Sequence, residues 1–178
     1  MKIICISGHA QNGKTTTANT LAKQLTSIGK NVKEINYADY LKFVAQKYYD
    51  WNGEKDEYGR SLLQQLGTDI VRNINSNFWV NIVEMTINTL FAPEGVDYAI
   101  IADARFPNEI DYWRRNNYDI MHIRVKRTGD FDDGLTAEQR LHPSEVSLDD
   151  YPAEIIIEAE TVQDIEDSID ELIARRMI

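Results

Sequence analysis

Residues 2–28 read KIICISGHAQNGKTTTANTLAKQLTSI: an apolar run, a glycine-bounded loop and a helical pattern in immediate succession. Gly8, Gly13, Lys14 and Thr15 fit the spacing G-x-x-x-x-G-K-[ST]. Residues 2–7 read as a buried strand ending at glycine, and Ala18, Leu21, Ala22, Leu25 and Ile28 recur at helical spacing until Gly29. In such a loop the glycines let successive backbone N–H groups, from Asn12 to Thr16, turn toward phosphate oxygens, and the helix start adds its positive dipole end. Lys14 is expected to reach the terminal phosphates and Thr15 to offer its hydroxyl to Mg²⁺. The stretch implies a held nucleotide phosphate and leaves open whether water, a protein or a small molecule receives it.

The remaining pattern alternates strands with helices. Residues 31–37, the apolar run 98–102 ending in Asp103, 118–125 and 153–159 read as strands. Helical spacing marks about 40–50, 60–74, 79–91 and 107–116, with Pro107 suited to a first turn. Thr161 with Asp164 resembles a capping box, followed by an apolar stripe at Ile165, Ile169, Leu172 and Ile173 and a basic end at Arg175 and Arg176. The expectation is an α/β chain, a mainly parallel sheet covered by helices on both faces. With 178 residues and neither repeats nor linkers, the chain reads as a single domain over 1–178. Residues 126–145 are polar, contain glycine, and look like a mobile surface excursion.

Charge narrows the partners. Twenty-nine acids against 19 bases give a net charge of −10, which argues against direct nucleic-acid binding because phosphate neutralisation needs clustered Lys and Arg. Cys5 is the sole cysteine, so no internal disulfide and no cysteine metal site forms. It sits in an apolar run and reads as a small buried hydrophobe. No apolar run is long enough for a membrane span, and the expected location is the cytoplasm, the host's if the chain is viral.

Asp103, at the end of an apolar strand, reads as the second anchor for the metal or as a helix cap or turn former. No guanine-reading N-K-x-D stretch is present, and DEYG (56–59) follows no apolar strand. A small-molecule kinase needs arginines around two sets of phosphates and a device that excludes water. Arg60, Arg72, Arg105, Arg124, Arg127 and Arg140 lie near strand ends or in polar loops, and residues 126–145 fit a hinged lid carrying two of them.

Four separated stretches then carry a resemblance: GHAQNGKTT, GRSLLQQLGTDIVRNINSNFWV (59–80), IADARFPNE (101–109) and RLHPSE (140–145). Together they resemble the bacteriophage-type deoxynucleoside monophosphate kinase family over roughly residues 3–160. The resemblance implies a P-loop kinase fold: a five-stranded parallel sheet flanked by helices, with a lid at about 126–145 and an acceptor-binding region at about 37–80. It implies transfer of the γ-phosphoryl of ATP to deoxynucleoside 5′-monophosphates with Mg²⁺, small-molecule nucleotides as partners, and a homodimer. Gly67, Thr68, Asp69 and Arg72 match the segment lining the monophosphate side, with Arg72 as phosphate clamp and Arg105 a second pocket arginine. Arg127 and Arg140 resemble catalytic lid arginines; His142 and Glu145 are expected to close or orient the lid beside the acceptor. Asp39 has two readings, a polar group presented to the monophosphate or a helix cap. Trp79 likewise reads as core or as a base-stacking wall, while Trp51 and Trp113 read as core or interface residues. His9 and His122 read as structural, and Glu109 as a helix-starting residue that can hold an arginine in place. Two other readings stand beside this one: a kinase of another phosphorylated metabolite, since phosphomevalonate-type kinases also pair a P-loop with H-x-S-E, and a nucleotide-binding regulator or ATPase with no acceptor.

Overall fold

Both faces of the first strand are apolar, and this places it at the centre of the molecule. In the computed structural model, which describes residues 1–54 and 56–178, β1 spans Lys2–Ser7. Side chains alternate across a strand, so Ile3 and Cys5 enter one core while Ile4 and Ile6 enter the other, all four fully buried. Each buried isoleucine here contributes about 1.5–3 kcal/mol, so a polar residue in its place would be costly. Among the described residues the other strands are β2 (Val32–Glu34), β3 (Tyr98–Ala104), β4 (Asp119–Arg127) and β5 (Ile155–Ala159). They form one parallel sheet in the order β2-β3-β1-β4-β5.

The helices are α1 (Lys14–Ser27), α2 (Ala38–Tyr48), α3 (Glu57–Gln64), α4 (Phe78–Thr86), α5 (Asn108–Arg115), α6 (Ala137–Arg140), α7 (Pro143–Val146) and α8 (Val162–Ala174). One core lies between the sheet and α2 to α5 and holds Trp51, Trp79 and Trp113; the other lies beneath α1 and α8. The tryptophans are therefore core residues. Cys5 has the expected character, its thiol pushed well up by burial.

Differences from the sequence reading have local causes. The second strand is three residues long rather than seven. After Ile35 the chain turns so that the N–H groups of Tyr37 and Ala38 donate to Asp103 at 2.9 and 3.0 Å. The third helical pattern is present, but Gln65–Arg72 continues α3 as a π-helix, and Ile87–Phe91 continues α4 in the same form. At the start of α8 both capping-box bonds form between Thr161 and Asp164. The helix closes at Ala174, however, so Arg175 and Arg176 fall outside its last turn, Arg176 with a left-handed φ of 56°. DEYG also acquires a structural role: Asp56 caps α3 by accepting from the N–H of Gly59 at 2.7 Å.

The register of β1 against β3 shifts between Cys5 and Ser7, where β3 carries one extra residue. Such bulges re-aim side chains. This one sits at the carboxyl edge of the sheet, where β3 presents Asp103 and β1 runs into the glycine loop, the usual place for a ligand in a parallel sheet.

Candidate active site

The loop after β1 is built for close backbone approach. Gly8 has φ 148° and Gly13 φ 93°, both in the region that disfavours side chains. A Cβ on Gly8 would lie 2.4 Å from the carbonyl oxygen of Val125 in β4, and one on Gly13 would lie 2.9 Å from Cδ1 of Ile165 in α8. The Asn12 side chain ties the loop to β4 by donating to the Val125 carbonyl at 3.3 Å. Thr17 turns the first helical residues by donating its hydroxyl to the Gly13 carbonyl at 3.0 Å. The Lys14 ammonium curls over the loop and donates to the carbonyls of Gly8 (2.7 Å) and His9 (2.6 Å). Its charge is thereby centred above the cradle at the N-terminus of α1.

A cavity of about 560 Å³ opens from this loop toward α2, α3 and the end of β3. Lys14, Thr15 and Thr16 form one wall; Gly67, Thr68 and Arg72 of the π-helix form the facing one. A π-helix is rare and concentrates at functional sites. Here it coincides with the L-G-T-D-x-x-R stretch. Gly67 packs where a Cβ would lie 2.6 Å from Cδ2 of Leu41, which lets the π-helix sit close against α2. Arg72, only 8% exposed at its side chain, pairs with Glu109 at 2.8 Å, donates to Asn108 at 2.5 Å and stacks 3.8 Å above the Phe106 ring. Trp79 belongs to the core reading, with its indole N–H donating to the Gly67 carbonyl at 2.9 Å, although its edge reaches the cavity wall.

Asp103 also lines this cavity, and its carboxylate gathers the start of α2 through the two backbone N–H groups already described. Burial raises its pKa, and those two hydrogen bonds oppose the shift. Asp39 is not the N-cap of α2, which is Tyr37, but stands in the first turn of that helix. It is exposed, accepts from the Asn36 N–H at 2.9 Å, pairs with Lys42 at 3.3 Å, and is not part of the cavity wall. Among the described residues no group of three or more His, Cys, Asp or Glu side chains gathers as a metal cluster. Thr15 and Asp103 both line the cavity, and a magnesium ion takes one or two protein oxygens and shares the rest with phosphates and water.

The segment 126–145, expected as a lid, touches the glycine loop. Gln11 donates to the Asp133 carbonyl at 3.2 Å, and a Cβ on Gly134 would stand 3.6 Å from Arg60. Glu145 in α7 joins three parts: it accepts from the Ala10 N–H at 3.0 Å, ion-pairs with Arg105, and carries α7 with it. Arg105 also donates to the Ser144 carbonyl at 2.8 Å, and it borders both the large cavity and a second one of about 360 Å³ behind the loop. Arg127 lines that second cavity and lies 4.7 Å from the Phe131 ring centre. Arg140 lines neither cavity; it forms a two-pronged pair with Asp133 at 2.7 and 2.8 Å, which holds the Asp133 carboxyl down at about 2. His142 caps α7, its Nδ1 accepting from the Ser144 N–H at 3.2 Å, so the neutral ring carries its proton on Nε2. That nitrogen lies 3.5 Å from Asp69, a contact between the lid and the π-helix.

His9 and His122 take structural positions, His9 against Asp149 at 2.7 Å and His122 against Ser7 at 2.7 Å, with burial lowering the His122 pKa. Sequence reasoning did not single out Asn36, Tyr37, Gln64 or Phe106, all on the cavity wall. Phe106 had a signal, its place between Arg105 and Pro107 in the D-x-R-F stretch. Gln64 had none, because only the turn of α3 decides that it faces inward.

The parallel order β2-β3-β1-β4-β5, with a phosphate-type loop between the central strand and its helix, defines a P-loop kinase fold. The APS kinase CysC of Mycobacterium tuberculosis, solved in complex with AMPPNP and APS, superposes with a TM-score of 0.51 at 10% identity over 99% of this chain and 98% of that one. Its Cys556Ala mutant gives 0.50 over the same shares, also at 10% identity. The family model described as deoxynucleotide monophosphate kinase matches residues 23–169. The chain belongs to the deoxynucleotide monophosphate kinase family. A protein of Acanthamoeba polyphaga mimivirus, described as a "putative deoxynucleotide monophosphate kinase", is 26% identical over 173 residues, covering 83% of this chain and 82% of that one. The family match begins after the glycine loop, so the loop's geometry is an independent observation.

Proposed function

We propose that the protein transfers the γ-phosphoryl of ATP to a deoxynucleoside 5′-monophosphate, giving the diphosphate. The observation that carries this reading is the two-walled cavity: the Lys14 cradle on one side, and Arg72 and Arg105 on the other. Two anions must approach for phosphoryl transfer, and the chemistry is chiefly alignment and charge stabilisation. Gly8, Asn12, Gly13, Lys14, Thr15 and Thr16 cradle the donor phosphates. Arg72 receives the acceptor phosphate with Thr68 beside it, and Arg105 stands between the two sites. Thr15 and Asp103 would hold Mg²⁺, which when bound neutralises and fixes the donor phosphates. The attacking oxygen belongs to a phosphate already ionised near neutral pH, so no side chain has to remove a proton.

The lid, about residues 126–145, closes over the donor and excludes water, with Arg127 facing the donor side. Arg140 would need to exchange Asp133 for a substrate phosphate to act in the transition state.

The test is ADP release with ATP, Mg²⁺ and a panel of deoxyribo- and ribonucleoside monophosphates. A strong rise with particular deoxynucleotides is expected. Background release across the whole panel rejects the reading, and a rise only with a different phosphorylated metabolite reassigns the acceptor.

A further inference from the structure

Glu109 is 3% exposed, an unusual state for a carboxylate in the first turn of a helix. A helix start is served equally well by an acid left partly in solvent, and α5 has one in half-buried Asp111, so helix formation does not account for the burial of Glu109. Taking a charge out of water is costly unless it is fully paired. The pairing here is specific. One oxygen accepts from Arg72 at 2.8 Å, while the other accepts from the N–H of Arg105 at 2.6 Å and of Phe106 at 3.0 Å. Within five residues, 105–109, the chain thus supplies Arg72 with a stacking plane, an amide acceptor and a counter-charge. The same carboxylate fixes the backbone from which the Arg105 side chain departs.

We infer that Glu109 is a positioning residue that aims both cavity arginines, Arg72 directly and Arg105 through its backbone, at the acceptor phosphate. The inference rests on the acceptor reading above. The charged groups around it are Arg72 from the π-helix and Asp103 and Arg105 from the end of β3; the Tyr37 hydroxyl of the α2 start donates to the Glu109 backbone carbonyl at 2.7 Å. A merely structural pair would join the π-helix to α5 and leave substrate binding alone, so the two roles separate in kinetics.

The experiment compares wild type, Glu109→Gln, Arg72→Ala and the double variant. Glu109→Gln keeps the size of the side chain and, in assays run well above pH 7 where Glu109 is ionised, removes the counter-charge. It should raise the acceptor KM about tenfold or more while the ATP KM stays within about twofold. In the Arg72→Ala background the same change should have a clearly smaller effect, confined to what acts through the Arg105 backbone. An unchanged acceptor KM, an equal rise in both KM values, or effects that simply multiply would each overturn the inference. If Glu109→Gln loses its native circular dichroism, Glu109→Asp, which only withdraws the carboxylate by one methylene, carries the same kinetic criterion. A separate readout covers a wild type that no monophosphate stimulates. The Arg72 side-chain N–H signals should be protected from solvent exchange in wild type and lose most of that protection in Glu109→Gln. Unaltered protection would overturn the positioning role regardless of the acceptor.

Discussion

At the scale of single residues, the buried charge on the cavity wall makes a pH prediction. Desolvation outweighs the Arg72 pair and lifts the Glu109 pKa from its ordinary 4.5 to about 7. Between those values the folded protein holds a proton that the unfolded chain releases, so this group's stabilisation is full below 4.5 and is lost as pH rises through about 7. Its slope is at most about 1.4 kcal/mol per pH unit. Denaturant titrations of wild type and Glu109→Gln across this range should show the difference, with wild type losing relative stability toward pH 7 and the curves running parallel above it. Parallel curves throughout would mean that Glu109 keeps an ordinary pKa. That Glu109 can hold an arginine is legible in the D-x-R-F-x-N-E stretch. Its burial is not, because an acid at the start of a helix is ordinarily solvated and only the packing of the π-helix removes the water.

Elements divide the labour by sheet face. The α2, α3 and π-helix side shapes the cavity, while α1 and α8 cover the opposite face. Helical periodicity located every long helix within a few residues. It did not reveal the π-helix, since a wider turn comes from packing Gly67 against Leu41 rather than from a change in the apolar spacing. Nor did it foresee that α8 supports the glycine loop through Ile165. Thr161→Ala removes one half of the capping box and should cost about 1 kcal/mol, lowering Tm by roughly 2–4 °C with turnover unchanged. A scanning calorimetry trace with Tm unmoved would show that the cap contributes nothing net, and lost activity would show that the loop depends on it.

For the whole molecule the decisive contact is Glu145. It binds a glycine-loop N–H and Arg105 at once, and so fastens α7 to the loop and to the segment just after β3 together. Glu145→Ala should therefore loosen the seal and admit water. The ratio of acceptor-independent ADP release to coupled transfer is expected to rise by about tenfold, read by measuring ADP with and without the monophosphate. An unchanged ratio would show that the lid seals without this tether. The HPSE stretch pointed to lid closure, and the structure adds that α7 is fastened to the loop itself. Arg140, expected at the reacting phosphates, pairs with Asp133 inside the segment 126–145.

By itself the sequence determined the phosphate loop, the alternation that requires a parallel sheet, the apolar faces of the strands and the four stretches that carry the family. These are local: spacing, turn chemistry and periodicity act within a few residues of chain. Tertiary structure decided which charges are buried and which partners they meet. It set Asp103 against the start of α2, gave Arg72 its counter-charge in Glu109, and turned Asp39 out to solvent. Those outcomes depend on segments about 35 to 65 residues apart being packed together, and the electrostatics of a site are fixed only when that packing has excluded water.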